Sequence, residues 1–250
     1  MTRTVLITGA SSGFGAASAR RFAADGDNLI LVARRAERLA ELEAELRDSC
    51  TVTTLPLDLT DADAVQEALE GLQNTSVDVL LNNAGLALGL EPAHEVAFSD
   101  WQTMVDTNIT ALLRVTRLLL PAMVAQNRGH IINIASTAAS WPYPGGNTYG
   151  ASKAFVQQFS RGLRADLLGT ALRVTTISPG MAQTEFSSVR FKQDAEKADA
   201  VYQNTQPLTA GDLADIIHWV TSVPAHVNVN ELEVMPVCQA WGPLAVHRDV

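Results

Sequence analysis

A serine, a tyrosine and a lysine in the middle of the chain have the types and the spacing of a proton-transfer site. Ser136 follows an apolar run over residues 129–135 that predicts a buried parallel strand, and Tyr149 and Lys153 lie four residues apart in a helical pattern. Residues four apart share one helix face, so we expect the phenol and the ammonium to point the same way. The loop between contains prolines and glycines and can return Ser136 to that face.

These three groups suit chemistry at the oxygen of an alcohol or a carbonyl. A free phenol has a pKa of about 10 and is a poor base near neutrality. An ammonium about 4 Å away stabilises a phenolate by roughly 4 kcal/mol at an effective dielectric of about 20, which is worth about 3 pKa units. We therefore expect Lys153 to lower the pKa of Tyr149, and Ser136 to donate a hydrogen bond to the substrate oxygen. The alternative is an exposed helical pair, because the Tyr–Lys spacing alone is a modest signal.

A glycine-rich turn lies between the first predicted strand, 4–8, and the first predicted helix, 16–25. Glycines allow close backbone approach, and the free N–H groups of a helix N-terminus attract a pyrophosphate. The spacing Gly-x3-Gly-x-Gly is a variant of the dinucleotide fingerprint. The residues expected to bind the cofactor here are Gly9, Ser11, Ser12, Gly13, Phe14 and Gly15.

The end of the second predicted strand, 28–33, indicates which dinucleotide binds. An acidic residue about 20 positions beyond the glycines would bind the ribose hydroxyls of NAD. Ala33 stands there instead, followed by Arg34 and Arg35. Two guanidinium groups can bind the 2′-phosphate of NADP, so NADP is favoured over NAD. The alternative is that both arginines begin a solvated helix.

The composition favours one acidic domain and disfavours several partners. The 250 residues are 47% hydrophobic and carry a net charge of −9, which disfavours nucleic acid or an anionic membrane as a partner. Cys50 and Cys238 are too few for a disulfide framework, and the five histidines form no metal-binding pattern. Because no signal segment and no apolar run near the roughly 18 residues of a membrane span stand out, we expect a cytoplasmic protein without a metal.

Strand and helix patterns alternate along the whole chain. This alternation predicts a Rossmann-type, doubly wound parallel sheet of about seven strands with helices on both faces, in a single domain over 1–250. The loops that carry the motifs follow predicted strands, where such sheets bind ligands. The predicted strands are 4–8, 28–33, 52–57, 77–81, 129–135, 172–177 and 227–234, and the predicted helices are 16–25, 36–48, 60–72, 101–126, one beginning near 149, and 212–221.

The motifs together resemble the short-chain dehydrogenase/reductase family over essentially the whole chain. Besides the glycine-rich turn they are Asn82-Asn83-Ala84-Gly85, Asn108, Ser136, Tyr149-Gly150-Ala151-Ser152-Lys153 and Pro179-Gly180-Met181-Ala182-Gln183-Thr184. The resemblance implies a catalytic tetrad of Asn108, Ser136, Tyr149 and Lys153. Tyr149 is then the acid/base, Ser136 orients the substrate oxygen, Lys153 also holds the nicotinamide ribose, and Asn108 holds a water of the proton relay.

The same resemblance implies further cofactor contacts and an assembly. Helices holding Asn108 and Tyr149 form a homotetramer interface in the family. The implied cofactor contacts are Asp58 and Leu59 at the adenine, Asn82, Ala84 and Gly85 on the adenosine side, Tyr149 and Lys153 at the nicotinamide ribose, and Pro179, Gly180 and Thr184 at the nicotinamide amide.

Four further strings are similar to the NADP-dependent 3-hydroxy acid dehydrogenase branch of the family. They span 86–94, 140–143, 184–191 and 232–237. The branch includes enzymes that oxidise serine and allo-threonine and that reduce malonic semialdehyde. Sulfoacetaldehyde reductases are close to it, so the acid group recognised is either a carboxylate or a sulfonate.

An acid substrate needs a cation in its pocket, because a buried unpaired carboxylate is unfavourable. The polar segment 181–206, our candidate substrate-binding segment, supplies Arg190 and Lys192. We expect Arg190 to bind the acid group bidentately, the alternative being a plain surface arginine. Trp141 and Tyr143 are expected to wall the pocket, with core packing or an oligomer contact as alternatives.

The tail 237–250 extends beyond the last predicted strand and contains Trp241, Pro243 and His247. We expect it to dock on a neighbouring subunit near that subunit's active site. A frayed terminus is the alternative.

The sequence therefore predicts reversible hydride transfer between NADP and a small 3-hydroxy acid. The enzymatic alternative is a reductase of sulfoacetaldehyde or of a neutral aldehyde or ketone. The non-enzymatic alternative is an NADP-sensing binding protein, which has little use for Tyr149 and Lys153 together.

Overall fold

A seven-stranded parallel sheet forms the centre of the computed structural model, which describes residues 2–72, 75–242 and 246–248. Helices connect successive strands. The strands are β1 Thr4–Thr8, β2 Asn28–Ala33, β3 Val52–Pro56, β4 Val79–Asn82, β5 Gly129–Ile134, β6 Leu172–Pro179 and β7 Glu231–Val234. The helices are α1 Gly13–Ala23, α2 Ala36–Leu46, α3 Ala62–Glu70, α4 Phe98–Val105, α5 Ala111–Gln126, α6 Asn147–Asp166, α7 Glu185–Arg190, α8 Ala195–Ala200 and α9 Ala210–Ser222, with a π-helical turn at Asp106–Thr110 and a 3₁₀ turn at Thr137–Ala139.

The strand order creates a crevice at one edge of the sheet. The order is β3-β2-β1-β4-β5-β6-β7, so the chain runs outward from β1 in one direction and then returns to continue in the other. Val5 of β1 pairs with Leu29 of β2 on one side and with Val79 of β4 on the other, all in parallel. The predicted doubly wound parallel sheet is confirmed, and its switch point lies between β1 and β4.

Alternate residues of each central strand face opposite helical layers. Val5 and Ile7 of β1 pack with α1, α2 and α9, whereas Leu6 packs with α3, α5 and α6. All three side chains are fully buried. Near-continuous apolar strands are therefore required, because both sheet faces are covered.

Three predicted starts were wrong by three or four residues, and two helices were not predicted. Helix α1 begins at Gly13 rather than at residue 16, because packing on β1 overrides the poor helix propensity of Gly13 and Gly15. The long helix begins at Phe98 rather than at 101, and β7 begins at Glu231 rather than at 227. The segment 181–206 contains two helices, α7 and α8, whose N-caps Thr184 and Asp194 were visible in the sequence.

The stretch Phe98–Gln126 is long and apolar enough to match a membrane span by length and composition, contrary to the expectation from the sequence. In the structure it is divided by the π-helical turn, and Val115, Leu119 and Met123 of α5 lie buried against the sheet. Packing of these side chains in the core accounts for part of its apolar composition.

Gly15 lets α1 pack directly on the glycine-rich turn. A Cβ built on Gly15 would lie 2.3 Å from the carbonyl oxygen of Gly9, and backbone cannot move aside as a flexible side chain can. We expect Gly15→Ala to lower the free energy of unfolding by about 1–3 kcal/mol, the usual effect of overpacking. Urea unfolding measures this change.

Gly162→Ala is the matched control, because Gly162 lies on the exposed side of α6 with no atom within 4 Å of the added Cβ. It should raise the free energy of unfolding by roughly 0.5–1 kcal/mol. A Gly15→Ala protein as stable as the wild type would contradict the packing role of Gly15.

Candidate active site

A cleft of about 720 Å³ lies at the carboxyl ends of the strands around the switch point. It brings together most residues that the sequence singled out, although they span the chain from β1 to α7. The predicted residues that line it are Gly9, Ser11, Ser12, Gly13, Phe14, Arg34, Arg35, Asp58, Leu59, Ala84, Gly85, Ser136, Tyr149, Lys153, Pro179, Gly180, Thr184 and Arg190. Four predicted residues do not line it, namely Gly15, Asn82, Asn108 and Trp141.

Strand β5 and helix α6 hold the predicted proton-transfer groups. Ser136 follows β5 in an extended conformation, where its hydroxyl accepts from the Ala138 N–H at 3.1 Å and hydrogen-bonds with Tyr149. Lys153 Nζ donates to the carbonyl of Ile134 at 2.9 Å. Tyr149 and Lys153 are 9% and 5% exposed, so the exposed-pair alternative is excluded.

Burial dominates the pKa of Tyr149, and the expected lowering of this pKa by Lys153 stays a prediction. Burial raises the pKa of Tyr149 to about 12, although the hydrogen bond from Ser136 and the charge of Arg190 act in the opposite direction. Lys153 Nζ lies 5.9 Å from the centre of the phenol ring, with its hydrogen bond directed at Ile134. Desolvation therefore outweighs the nearby cations, and the Tyr149 phenol is protonated at neutral pH.

Burial also perturbs the Lys153 ammonium. Burial lowers its pKa from 10.5 to about 8, because an ammonium in a poorly solvated site loses its hydration. The space beside it depends on Gly85, where an added Cβ would lie 3.1 Å from Lys153 Nζ and 3.2 Å from Asn108 Oδ1.

The Asn108 side chain is fully committed to the protein. Its Oδ1 accepts from the Leu86 N–H at 2.8 Å, and its Nδ2 donates to the Leu86 carbonyl and to Ser152 Oγ. Asn108 lies in the π-helical turn and is 1% exposed, while its neighbour Thr107 lines the cleft. The side-chain amide therefore braces the loop after β4, and the water of the proton relay expected at Asn108 stays a prediction.

Asn83, rather than Asn82, faces the cleft. Asn82 is buried and donates to Thr116 Oγ1 and Asn133 Oδ1, so its side chain does not line the cleft where the sequence placed a cofactor contact. Asn83 Nδ2 donates to the carbonyls of Thr8 and Gly9, which braces the glycine-rich turn. Alternation along a strand was the available signal, because successive side chains point to opposite sides.

The two arginines after β2 have different partners. Arg34 is exposed. Burial tends to raise the pKa of Asp58, but hydrogen bonds from Thr60 and the charge of Arg34 together lower it below its usual value. Arg35 Nε donates to Ser11 Oγ at 3.1 Å, and its Nη1 donates to Glu185 Oε2 at 2.8 Å. Glu185 lines the cleft but was missed, because nothing in the sequence relates α7 to β2.

At the opposite end of the cleft, Arg190 lies among aromatic rings. Its guanidinium carbon is 5.0 Å from the ring centre of Tyr149, 5.2 Å from that of Phe186 and 5.6 Å from that of Tyr143. Its Nη2 donates to the Tyr143 hydroxyl. Its Nε is buried and has no hydrogen-bond partner among the described residues. The surface-arginine alternative is therefore wrong.

Trp141 does not wall the cleft, contrary to the prediction, whereas Tyr143 does. The indole N–H of Trp141 is buried and has no acceptor within the described ranges. The backbone N–H of Trp141 donates to the Thr137 carbonyl of the 3₁₀ turn at 3.0 Å.

The segment 181–206 is tied down over the cleft. The Gly89 N–H donates to the Arg190 carbonyl at 2.9 Å, and Lys192 pairs with Asp100 of α4 at 2.8 Å. Lys192 therefore points away from the cleft, and Arg190 is the cation of this segment that enters it.

Three described residues of the tail contact their own chain. Gln239 and Val246 line the same cleft, with Gln239 Oε1 accepting from the Met181 N–H at 2.8 Å. Arg248 donates to the carbonyls of Val201 and Gln203 in the segment above. Both lining residues were missed, since no local pattern marks them.

Trp241 is 82% exposed, so the predicted docking of the tail on a neighbouring subunit stays a prediction. Pro243 lies outside the described residues. The His247 N–H donates to the Cys238 carbonyl at 2.8 Å.

The pKa of Lys153 predicts a pH-dependent stability. Below pH 8 the lysine is protonated in both the folded and the unfolded chain, so the full penalty of burial is present. Between pH 8 and 10.5 only the unfolded chain holds this proton, and the folded state gains stability as the pH rises. Across that window wild-type stability should rise relative to Lys153→Met by on the order of 3 kcal/mol.

Urea unfolding of both proteins at pH 7 and at pH 10.5 measures this change, and the comparison cancels other titrating groups. A stability difference between wild type and Lys153→Met that stays constant with pH would rule out the buried ammonium.

Comparison with known proteins gives a consistent result. The family model described as short chain dehydrogenase matches residues 3–195. The NADP-dependent 3-hydroxy acid dehydrogenase YdfG of Salmonella typhi is 56% identical over 248 residues, covering 98% of this chain and 99% of that protein. Sulfoacetaldehyde reductase 2 of Chromohalobacter salexigens is 53% identical over 252 positions and covers 100% of both proteins.

A solved structure agrees with these relatives. The closed form of serine dehydrogenase complexed with NADP+ superposes with a TM-score of 0.92 at 53% identity, covering 98% of this chain and 100% of that one. The sequence motifs, the parallel sheet and the cleft at its switch point therefore have one explanation: the chain belongs to the short-chain dehydrogenase family.

Proposed function

We propose that this protein is an NADP-dependent oxidoreductase that transfers a hydride reversibly between NADP and a small 3-hydroxy acid. Substrates of this type are serine, allo-threonine and 3-hydroxypropionate, or malonic semialdehyde in the direction of reduction. One observation carries the proposal: a guanidinium, Arg190, is held 5.0 Å from the ring centre of the phenol that would handle the proton, Tyr149. Relatives named as 3-hydroxy acid dehydrogenases support the same substrate class.

The adenosine half of the cleft fits a phosphorylated dinucleotide. Gly9 and Gly13 adopt positive φ angles of 68° and 51°, which shape a turn that other residues rarely form. Arg34 and Arg35 line the cleft beyond this turn, and Ala33 places no carboxylate at the end of β2. We assign the dinucleotide pyrophosphate to the turn and the 2′-phosphate to the two arginines.

The catalytic roles follow from the protonation states. Bound nicotinamide supplies the hydride chemistry. With a pKa of about 12, the Tyr149 phenol is protonated at neutral pH and can donate its proton to a carbonyl oxygen that Ser136 orients. In the oxidative direction the phenol must first lose its proton, and the charges of Lys153 and Arg190 favour the phenolate.

The surroundings of Arg190 favour an acid group on the substrate. Its buried Nε is a donor aimed at no described acceptor, and a carboxylate can accept from it and from a neighbouring N–H. A sulfonate offers the same oxygens, and a relative is named sulfoacetaldehyde reductase, so that activity is the alternative. A neutral aldehyde or ketone would leave the Arg190 charge without an anionic partner. An NADP sensor would need neither Tyr149 nor Lys153.

We further propose a cytoplasmic homotetramer formed through α5 and α6. Phe155 on α6 is 36% exposed, and Leu168, which follows the end of α6, is 82% exposed. Exposed apolar side chains of this kind support an interface. Trp241 supports contact of the tail with a neighbouring subunit.

The proposed activity is tested by following reduced nicotinamide absorbance with NADP or NAD against serine, allo-threonine, 3-hydroxypropionate, isethionate and a neutral secondary alcohol. Turnover with NADP on the carboxylates supports the proposal. Turnover on isethionate alone favours the sulfonate alternative. Tight NADP binding without turnover on any of them contradicts the proposal.

Arg190→Gln tests the substrate class. We expect KM for a hydroxy acid to rise about 30-fold, equal to about 2 kcal/mol for loss of a buried charge pair. KM for a neutral alcohol should change little, because it has no acid group to pair with Arg190. Lys192→Gln is the matched control, because Lys192 lies two residues away and pairs with Asp100 outside the cleft. An unchanged KM for hydroxy acids in Arg190→Gln would refute the assigned role.

A further inference from the structure

Arg35 connects two parts of the cleft that are far apart in the sequence. It is the N-cap residue of α2, and its Nε donates to Ser11 Oγ in the glycine-rich turn. Its Nη1 donates to Glu185 Oε2 at 2.8 Å, across 150 residues of chain. Arg35 therefore joins the proposed phosphate site to the first residue of α7.

This ion pair removes positive charge from the proposed phosphate site. Arg34 donates no hydrogen bond to any residue in the described part of the chain, so its guanidinium is available to an anion. Arg35 already forms an ion pair with Glu185, and its Nη2 is turned toward the Ser11 carbonyl at 3.4 Å. A phosphate monoester carries close to two negative charges at pH 7, and of the two arginines Arg34 is the one without an ion pair to a described residue.

We infer that the Glu185 carboxylate competes with the 2′-phosphate of NADP for the Arg35 guanidinium, so that Glu185 weakens and tunes the preference for the phosphorylated cofactor. This inference rests on the proposed use of NADP. Arg35 and Glu185 side chains are 44% and 47% exposed, and an exposed pair of this kind is weak enough to exchange partners. The phosphate and the carboxylate also repel each other when both are close to Arg35.

Calorimetric titration of the whole protein with two adenosine nucleotides tests the competition. Adenosine 2′,5′-bisphosphate carries the 2′-phosphate, and adenosine 5′-monophosphate is the matched nucleotide that lacks the 2′-phosphate. We expect Glu185→Gln to lower Kd for the bisphosphate about two- to fivefold, as for one exposed ion pair, and to leave Kd for the monophosphate unchanged. The gain should shrink at high salt and disappear in an Arg35→Gln background.

Glu196→Gln is the matched control, since Glu196 is an exposed carboxylate on α8 with no ion pair among the described residues. Circular dichroism verifies that each variant is folded. An unchanged Kd for the bisphosphate in Glu185→Gln, equal tightening of both nucleotides, or equal tightening by Glu196→Gln would each overturn the inference.

The test separates this inference from the proposed function. A wild-type protein that prefers the bisphosphate, with no response to Glu185→Gln, overturns the competition alone. A wild-type protein that binds both nucleotides equally overturns the proposed use of NADP, and the competition with it.

Discussion

A buried ammonium governs the arrangement of the cleft. Lys153 is 5% exposed and donates to one described carbonyl, that of Ile134 at the end of β5. Burial of a cation with so little compensation is unfavourable, and the surrounding fold makes it possible. Helix α6 fixes the lysine opposite the end of β5. Gly85 leaves room for Nζ because it has no Cβ, and the amide of Asn108 braces the loop after β4.

The charge of the cleft is opposite in sign to the net charge of the molecule. The chain has a net charge of −9, yet Arg34, Arg35, Lys153 and Arg190 all line one cleft, where the described carboxylates are those of Asp58 and Glu185. Concentrated cations in a concave site attract anions. A phosphorylated dinucleotide at one end and an acid substrate at the other account for this distribution better than a neutral ligand pair.

Local sequence signals predicted the sheet, the glycine-rich turn and the Ser–Tyr–Lys constellation, because strand apolarity, turn glycines and helix periodicity are properties of short segments. They did not predict the pKa of Tyr149, since desolvation depends on everything packed around the phenol. Glu185 and Gln239 reach the cleft only through contacts with β2 and with the backbone after β6. Asn83, to which the sequence assigned no role, lines the cleft, whereas the Asn82 side chain lies in the core. Successive side chains along a strand face opposite sides.

The protonated Tyr149 phenol is the centre of the account, and Tyr149→Phe tests it most directly. Steady-state turnover and Kd for NADPH should be measured on the same preparation. Loss of one general acid–base group should reduce turnover about 10²- to 10⁴-fold, while Kd for NADPH stays within about twofold, because packing of the ring against Phe186 is retained. Near wild-type turnover in Tyr149→Phe would contradict the account.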